Sequence, residues 1–540
     1  MDTPAAGGSG APAHIPQAVA PGDAVFSSLV EQIMLLRAET ASAASVAAAR
    51  HEALRAELAA LRACALESPS ATSYGTIGTE ALLALEQGSS IATAHAPPEG
   101  ATGADLAPIA SLDDLRSLCA CSTESELVAL ITPLLQAARG LEAGAAADPC
   151  ARVLINSERS PWLDSLAAPL PADQLKRPDL FVTWAPFWSG RLTAHGGAVG
   201  KLAARALQKD GCVSEFYEAK LGQGDLTATD FGQLVDYHSR VSGPVRGMLF
   251  NARHFWLLES RRHIPVALIK GKLGAPGSAA LLRRFFNAAS EPPLVPLLRH
   301  LCSALSVLPR SIAVDSLPVG GGGGGGAQVR SSAFLGAGGS ARVFCVAREG
   351  ATRLSALKAS TSQSRAELQY EYAAMQHAAA LGAPVVPVVE DSLAVLMDAT
   401  TGAYRGGGFL LREVCVRAAV DSRAQCTAAF EALRALHSCS LVHGDARLPN
   451  LMRSEGSGLL WIDLRESAAG VQGGQRVEGQ SAGALHAAQR TDARVLAASV
   501  LGLTQGDALP APVLEVLLGV PHDAAAYAAL ASAVGNALQL

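Results

Sequence analysis

The stretch LVHGDARLPNLM at residues 441–452 places an aspartate, an arginine and an asparagine in one short segment. Asp445 precedes Arg447 by two residues and Asn450 by five. An aspartate can receive the proton of an acceptor hydroxyl and an asparagine five residues later can hold Mg²⁺, provided that a short rigid loop joins them. Arg447 adds a cation suited to a transferring phosphoryl group. The stretch therefore predicts a loop built for phosphoryl transfer.

Working outward, both flanks add groups that this chemistry needs. Downstream, the apolar run LLWID predicts a strand that ends in Asp463, which can serve as a second metal ligand. Upstream, FLGAGGSARVF at residues 334–344 predicts a glycine-rich hairpin whose backbone amides can approach phosphate oxygens. Glycine-rich turns are common in this chain, so the hairpin is weak evidence alone. The residues assigned to it are Gly336, Gly338, Gly339 and Val343.

A lysine and a following helix complete the pattern. Lys358 lies on an alternating segment that predicts a strand, which would direct its ammonium at the α- and β-phosphates of a nucleotide. The helix predicted over residues 364–377 offers Glu367 and Glu371 as partners. Glu371 is favoured, because Met375 lies four residues further along and gives this side of the helix an apolar surface. Either glutamate could instead be an ordinary surface charge.

Five such elements in this order and spacing resemble the protein-kinase-like superfamily over about residues 328–500. The resemblance implies a two-lobed fold that binds ATP and Mg²⁺ between the lobes, with a hinge near residues 412–415. It implies Asp445 as the catalytic base, with Lys358 and Glu371 as the phosphate-positioning pair. Asn450 and Asp463 become the metal ligands, and Asp492 anchors the catalytic loop from the next helix.

Several departures from that family bear on regulation and substrate. The third glycine of the hairpin is Ala341, and the catalytic loop reads His-Gly-Asp, without the arginine that would clamp a phosphorylated activation segment. The metal motif is Asp-Leu-Arg, and no Ala-Pro-Glu motif follows it. We therefore expect an abbreviated lower lobe, as in atypical and aminoglycoside- or choline-type kinases, and favour a protein substrate narrowly over a small molecule.

The middle of the chain carries a second acidic pattern. Asp179 follows a proline, and 39 residues later Glu218 and Lys220 alternate onto one face of a predicted strand. Two carboxylates can hold Mg²⁺, and the lysine can orient the attacking water. Gln233 and Tyr237 then lie four residues apart on one face of a predicted helix.

This arrangement resembles RecB-like members of the PD-(D/E)xK nuclease superfamily, in which an earlier glutamate, here Glu124 or Glu126, can add a ligand. Over residues 171–290 we count 16 basic against 9 acidic residues, in a chain whose net charge is −5. Such a surface could bind DNA, although a solvated basic face is the ordinary alternative. The basic residues singled out are Arg261, Arg262, Lys270, Lys272, Arg283 and Arg284. The order of the two domains resembles Crinkler-type effector architecture.

The chain of 540 residues is therefore predicted to be multidomain, α/β and α+β. Residues 23–66 predict a long helix, either a coiled coil that forms an oligomer or a single helix docked on its own protein. No apolar run long enough for a membrane span and no leader pattern occur, which predicts an intracellular protein, cytoplasmic or nuclear. The remaining segments are a disordered 1–22, a low-complexity linker at 67–110, a restriction-endonuclease-like α/β domain at 111–312, a glycine-rich linker at 313–327 and the kinase-like domain at 328–540.

The leading hypothesis is an ATP- and Mg²⁺-dependent Ser/Thr-type protein kinase fused to a nuclease-like domain. The alternatives are a Mg²⁺-dependent DNA nuclease with a regulatory kinase-like domain, and a pseudokinase scaffold.

Overall fold

The structure is a computed structural model of the chain. It describes residues 71–93, 106–141, 148, 150–157, 162–166, 170, 174–187, 207–287, 291–310, 312–313, 331–348, 353–454, 456, 458–464, 482–504, 507–519 and 523–540. Residues 71–540 form one compact unit. No helix in its described part could cross a membrane. The predictions for residues 1–66, including an oligomer through 23–66, and for the glycine run at 320–326 lie outside the described residues.

The central region, residues 71–287, is built on a mixed sheet. Its strands are β1 (Ile91–Thr93), β2 (Arg152–Asn156), β3 (Leu180–Trp184), β4 (Val213–Ala219), β5 (Val245–Phe250), β6 (His254–Arg261) and β7 (Ile264–Lys272). They pair in the order β1-β7-β6-β5-β4-β3-β2. The β1–β7 and β4–β5 pairs are parallel and the others antiparallel. Every residue of β3 and β4 is buried, as expected where a sheet is covered on both faces.

Helices cover both faces of this sheet. They are α1 (Ala71–Gln87), α2 (Leu112–Cys119), α3 (Glu124–Arg139), α4 (Ala228–Ser239) and α5 (Ser278–Asn287). Helices α1 and α4 pack on one face of the sheet, whereas α2, α3 and α5 pack on the other, and each group buries its own hydrophobic core. Ser111 forms a capping box with Asp114, and Thr123 caps α3.

Helix α1 corrects the predicted linker at residues 67–110. A Cβ at Gly78 would lie 1.7 Å from the Ala228 carbonyl oxygen, and a Cβ at Gly232 would lie 1.9 Å from that of Tyr74. The backbones of α1 and α4 therefore touch through glycines. Small residues favour close helix packing as readily as they favour a linker, so composition alone misassigned this segment. Strand β1 then joins the sheet beside β7.

The C-terminal sheet begins before the glycine run. Its elements are α6 (Leu294–Ala304), β8 (Val307–Pro309), β11 (Phe334–Ala337), β12 (Arg342–Arg348), β13 (Leu354–Ser360), α7 (Arg365–Ala380), β14 (Ala394–Met397) and β15 (Tyr404–Leu411), with a short pair of β9 (Ile312–Ala313) and β10 (Ser331–Ser332) between β8 and β11. The strand order is β11-β12-β13-β15-β14, and β8 pairs with β12.

Consecutive glycines in β15 let helices approach this sheet from both sides. A Cβ at Gly408 would lie 2.7 Å from a methyl of Leu301 on α6, and one at Gly407 would lie 2.6 Å from a methyl of Leu368 on α7. Helix α6 and strand β8 thus pack with the C-terminal sheet. The predicted boundary between the two domains, at residues 312/313, does not coincide with this packing. Strand β8 precedes the glycine-rich linker but already pairs with β12 of the C-terminal sheet.

The rest of the C-terminal region is mainly helical. It contains β16 (Val416–Arg417), α8 (Arg423–Ser438), β17 (Leu451–Ser454), β18 (Gly458–Trp461), α9 (Ala482–Val500), α10 (Ala511–Gly519) and α11 (Ala524–Ala537). Strand β17 lies between β16 and β18. The predicted hinge at residues 412–415 joins β15 to β16. The prediction of a mixed α/β chain with more than one sheet is confirmed.

Candidate functional site

The glycine-rich hairpin is formed by β11 and β12. The Gly338 amide donates to the Ala341 carbonyl at 2.9 Å and closes the turn. A Cβ built at Gly336 or Gly339 would meet no atom within 4 Å. The space beside these two residues is therefore open, which leaves room for a group that binds to the backbone amides.

Lys358 links three separate segments. It lies on β13 opposite Val343 of β12, and is only 3% exposed. Its ammonium donates to the carboxylates of Glu371 on α7 and Asp463 after β18. Burial disfavours the ammonium, but the two carboxylates outweigh burial, so the pKa of Lys358 is raised. The second oxygen of Glu371 accepts from Gln363 Nε2 at 3.0 Å.

The two candidate glutamates of α7 have different environments. Glu367 accepts from the Ser364 amide at 2.7 Å and its own amide donates to Ser364 Oγ, so Glu367 caps the helix. Glu371 is one turn further on, buried beside Tyr372 and Met375. The structure thus brings Glu371, not Glu367, to Lys358.

The 441–452 loop holds its polar groups together. Arg447 donates from Nε and Nη2 to the two carboxylate oxygens of Asp445 at 2.6 and 2.8 Å. This carboxylate raises the pKa of Arg447. Asn450 Nδ2 donates to the Asp445 carbonyl at 2.9 Å and to its Oδ2 at 3.2 Å. The amide oxygen of Asn450 consequently points away from Asp445. At the end of β18, Asp463 has a φ of 60°, a left-handed conformation that is uncommon outside glycine and concentrated at functional sites.

A buried aspartate on α9 supports this loop. Asp492 accepts from the backbone amides of His443 at 2.6 Å and Gly444 at 3.0 Å. It also contacts His437 Nε2 at 3.2 Å, while His437 Nδ1 contacts the Tyr527 hydroxyl. The sequence predicted the role of Asp492, but it did not indicate His437 or Tyr527. His437 and Tyr527 lie on two different helices, 90 residues apart in the sequence, so no local sequence pattern predicts their contact.

The acidic pattern of the central region also forms a cluster. Asp179 accepts from the Ala219 amide at 2.7 Å. Lys220 Nζ donates to Glu218 Oε1 at 2.8 Å and to Gln233 Oε1 at 2.9 Å. Gln233 Nε2 in turn donates to the Tyr237 hydroxyl at 2.6 Å. The structure therefore brings all five predicted residues of this pattern together at the end of β4.

Glu218 is the unusual member of this cluster. It is 3% exposed, and its Oε2 atom is buried without a hydrogen-bond partner. Burial and the nearby Asp179 raise its pKa to about 8, although Lys220 opposes the shift. A buried carboxyl with an unused oxygen costs stability unless a ligand compensates it, and such groups concentrate at functional sites.

The two glutamates proposed as an extra ligand are distinguished by their contacts. Glu126 accepts from the amide and hydroxyl of Ser122 at 2.8 and 2.9 Å, so its carboxylate is held at the N-terminus of α3. Glu124 Oε1 lies 3.9 Å from Lys220 Nζ. Of the two, only Glu124 reaches the cluster.

The basic residues singled out in the sequence do not form one surface. Glu218, Leu249, Trp256 and Lys270 occupy one row across β4, β5, β6 and β7, and Lys270 Nζ lies 4.3 Å from the Trp256 ring. Lys272 follows on the same face of β7. By contrast, Arg261 and Arg262 lie at the far end of the β6–β7 hairpin, and Arg283 and Arg284 lie on α5, on the opposite face. Of the six basic residues predicted to contact a phosphate backbone, Lys270 and Lys272 are therefore the two that share a face of the sheet with Glu218.

Among the described residues, no group of three or more His, Cys, Asp or Glu side chains is arranged to hold a metal ion. Mg²⁺ needs only one or two protein carboxylates, because waters and substrate phosphates complete its shell. Asn450 with Asp463, and Asp179 with Glu218, satisfy that smaller requirement. The unpartnered oxygen of Glu218 is the strongest indication of a fit.

Comparisons with known proteins add little information about the function of the chain. No family model and no curated protein matches the chain. The chain is similar to the solved PknI kinase domain of Mycobacterium tuberculosis, with 17% identity over 38% of this chain and 93% of that chain, and a TM-score of 0.26. Its C20A mutant gives 16% identity, 38% and 94% coverage, and the same TM-score. A likeness of this size assigns neither a family nor an activity.

Proposed function

We propose that the C-terminal region is an ATP-dependent kinase that transfers the γ-phosphate of ATP to a hydroxyl group of a protein substrate. The observation that best supports this proposal is the contact of Lys358 with both Glu371 and Asp463. A buried lysine fixed between two carboxylates is positioned to bind phosphate oxygens, and burying its charge has a desolvation cost that an apolar side chain would avoid. The same contact joins β13, α7 and the end of β18 into one site.

The remaining roles follow from the loop geometry. ATP with Mg²⁺ supplies the phosphoryl group; Asn450 and Asp463 would hold the metal. Asp445 accepts the proton of the acceptor hydroxyl, and Arg447 stabilises the charge that develops on the transferring group. The Arg447 side chain is 56% exposed. A site whose cation faces solvent is accessible to a macromolecule, which supports a protein substrate.

Incubation of the full chain with γ-labelled ATP and Mg²⁺ tests this proposal. We expect labelling of the protein itself or of an added protein substrate, and loss of labelling in Asp445→Asn. Asp421→Asn, an exposed aspartate on the same region, is the matched control and should label normally. Equal labelling by Asp445→Asn and the wild type would refute the assignment of the base.

A pseudokinase scaffold is separated from an active kinase by combining two measurements. A nucleotide site stabilises the folded state when ATP and Mg²⁺ bind, so the melting temperature rises in both cases. Only an active kinase also transfers the label.

A second activity is supported by the central cluster. We propose that the central region hydrolyses phosphodiester bonds in DNA, with Asp179 and Glu218 holding Mg²⁺ and Lys220 orienting the attacking water. The buried, unpartnered oxygen of Glu218 favours this candidate, because a metal would satisfy it. Lys270 and Lys272, on the same face as Glu218, can contact a phosphate backbone.

Mg²⁺-dependent nicking of supercoiled DNA tests the second proposal. Lys220→Ala should abolish nicking, whereas Lys209→Ala, which removes an exposed lysine before the start of β4, should not. Nicking that persists in Lys220→Ala, or that is absent with every divalent metal, would refute it.

A further inference from the structure

One ion pair joins the central region to the glycine-rich hairpin. Arg342, the first residue of β12, donates from Nη2 to Asp210 Oδ1 at 2.5 Å and from Nε to Asp210 Oδ2. Both side chains are only 16% exposed. A two-point guanidinium–carboxylate contact of this kind fixes orientation as well as distance. Neither residue has a role in the phosphoryl-transfer site described above.

The same guanidinium also holds the turn of the hairpin. Its Nη1 donates to the carbonyl oxygens of Gly338 at 2.7 Å and Ala341 at 2.9 Å. The Gly338 amide also donates to Ala341. The turn therefore closes around the side chain of Arg342, whose orientation Asp210 sets.

The residues on both sides of Asp210 are held in place by the central region. Gln208 Nε2 donates to the carbonyls of Asp164 at 2.9 Å and Arg240 at 2.8 Å. Gly211 has a φ of 65°, and a Cβ there would lie 2.6 Å from the Ser242 carbonyl oxygen, so this turn requires glycine. The position of Asp210 is thus fixed by the fold of the central region.

An aromatic contact holds the base of the hairpin to the same region. The Phe187 ring, just after β3, lies 5.8 Å from Phe334 on β11 and 5.4 Å from Phe344 on β12. The two hairpin rings are themselves 5.5 Å apart. The base and the tip of the hairpin therefore both contact the central region.

We infer that Asp210 is a positioning residue for nucleotide binding, which acts through Arg342 to hold the glycine-rich turn over the phosphates of ATP. The inference rests on the proposed kinase function and extends it, because it makes residues outside the C-terminal region part of the nucleotide site. Loss of Asp210 should weaken the binding of phosphate-bearing ligands and spare adenosine, which lacks phosphates.

Calorimetric titration of the full chain with ATP and Mg²⁺, and separately with adenosine, tests this inference. For Asp210→Ala we expect the Kd for ATP to rise at least about fivefold, with adenosine affinity unchanged. Asp210→Glu should recover part of the ATP affinity. If Asp210 acts only through Arg342, the double variant Asp210→Ala/Arg342→Ala should bind ATP no more weakly than Arg342→Ala alone.

His300→Ala is the matched control, because it removes a contact from α6 to the Val395 carbonyl, 2.9 Å long, at the other edge of the sheet. Its ATP affinity should equal that of the wild type. Thermal melting verifies that each variant is folded, and Asp210→Asn, nearly the same size, replaces Asp210→Ala if the latter unfolds. Three outcomes would overturn the inference but not the proposed function. They are wild-type ATP affinity in a folded Asp210 variant, equal losses of affinity for ATP and adenosine, and additive losses in the double variant. A wild-type chain that binds no ATP would refute the proposed function itself.

Discussion

Replacement of Glu218 by glutamine is expected to stabilise the protein by an amount that grows with pH. Folding raises the pKa of Glu218 from its ordinary 4.5 to about 8, because burial and Asp179 disfavour the carboxylate more than Lys220 favours it. When the folded-state pKa is the higher one, stability is fully present below the unfolded-state value and is lost as the pH rises toward the folded-state value. Glutamine never ionises and therefore avoids this loss.

The size of the effect follows from the two pKa values. At about 1.4 kcal/mol per pH unit, the ionisable carboxyl lowers the free energy of unfolding by about 1 kcal/mol at pH 5, about 3 kcal/mol at pH 7 and about 5 kcal/mol at pH 9. The advantage of Glu218→Gln over the wild type should follow the same progression.

Urea unfolding of both proteins at pH 5, 7 and 9, in the absence of divalent metal, measures this difference. Tryptophan fluorescence follows unfolding, because Trp162, Trp184 and Trp256 are buried in the central region and Trp461 in the C-terminal region. The control Glu80→Gln changes an exposed glutamate of α1 and should give no pH-dependent difference. If Glu218→Gln is less stable than the wild type at pH 7, or if the difference does not change between pH 5 and 9, the description of Glu218 is wrong.

Three further outcomes are expected. Asp492→Asn leaves one amide of the 441–452 loop without an acceptor, which should lower the free energy of unfolding by about 2 kcal/mol and abolish ATP labelling; unchanged labelling would contradict this role. Gly78→Ala, whose Cβ would lie 1.7 Å from the Ala228 carbonyl oxygen, should cost about 3 kcal/mol in urea unfolding. Gly75→Ala should cost much less, because its Cβ would lie 3.3 Å from the Thr229 hydroxyl, which a side-chain rotation can move. Equal stabilities of the two variants would mean that α1 does not pack on α4. Lys358→Met should lose the rise in melting temperature that ATP and Mg²⁺ give the wild type, and a retained rise would exclude Lys358 from the nucleotide site.

The contacts of the C-terminal site were predictable because its groups lie at fixed spacing within short segments. Asp445, Arg447 and Asn450 share one loop, so their contact needs little information from the rest of the fold. Glu371 could be preferred over Glu367 because helical periodicity already separates a buried position from a capping one. Their chemical roles remain predictions until activity is measured.

Contacts between distant segments could not be predicted in this way. Asp210 and Arg342 are 132 residues apart, and neither lies in a motif that links them. Helix α1 was missed because its alanines, glycines and threonines have the composition of a linker, while its packing depends on Gly232 of another helix. The scattered arginines of the central region were grouped by sequence, although the antiparallel β6–β7 hairpin places Arg261 and Lys272 at opposite ends.

The position of β8 has a consequence for how this gene could have been assembled. Strand β8 covers the edge of β12 at residues 346–348, and α6 shields the glycine face of β15, yet both precede the glycine run. A recombination point within the glycine codons would transfer the C-terminal sheet with an unpaired edge and an uncovered apolar surface, which favours aggregation. A unit that keeps this sheet covered must therefore start before the glycine run, with Leu294 as the latest possible first residue.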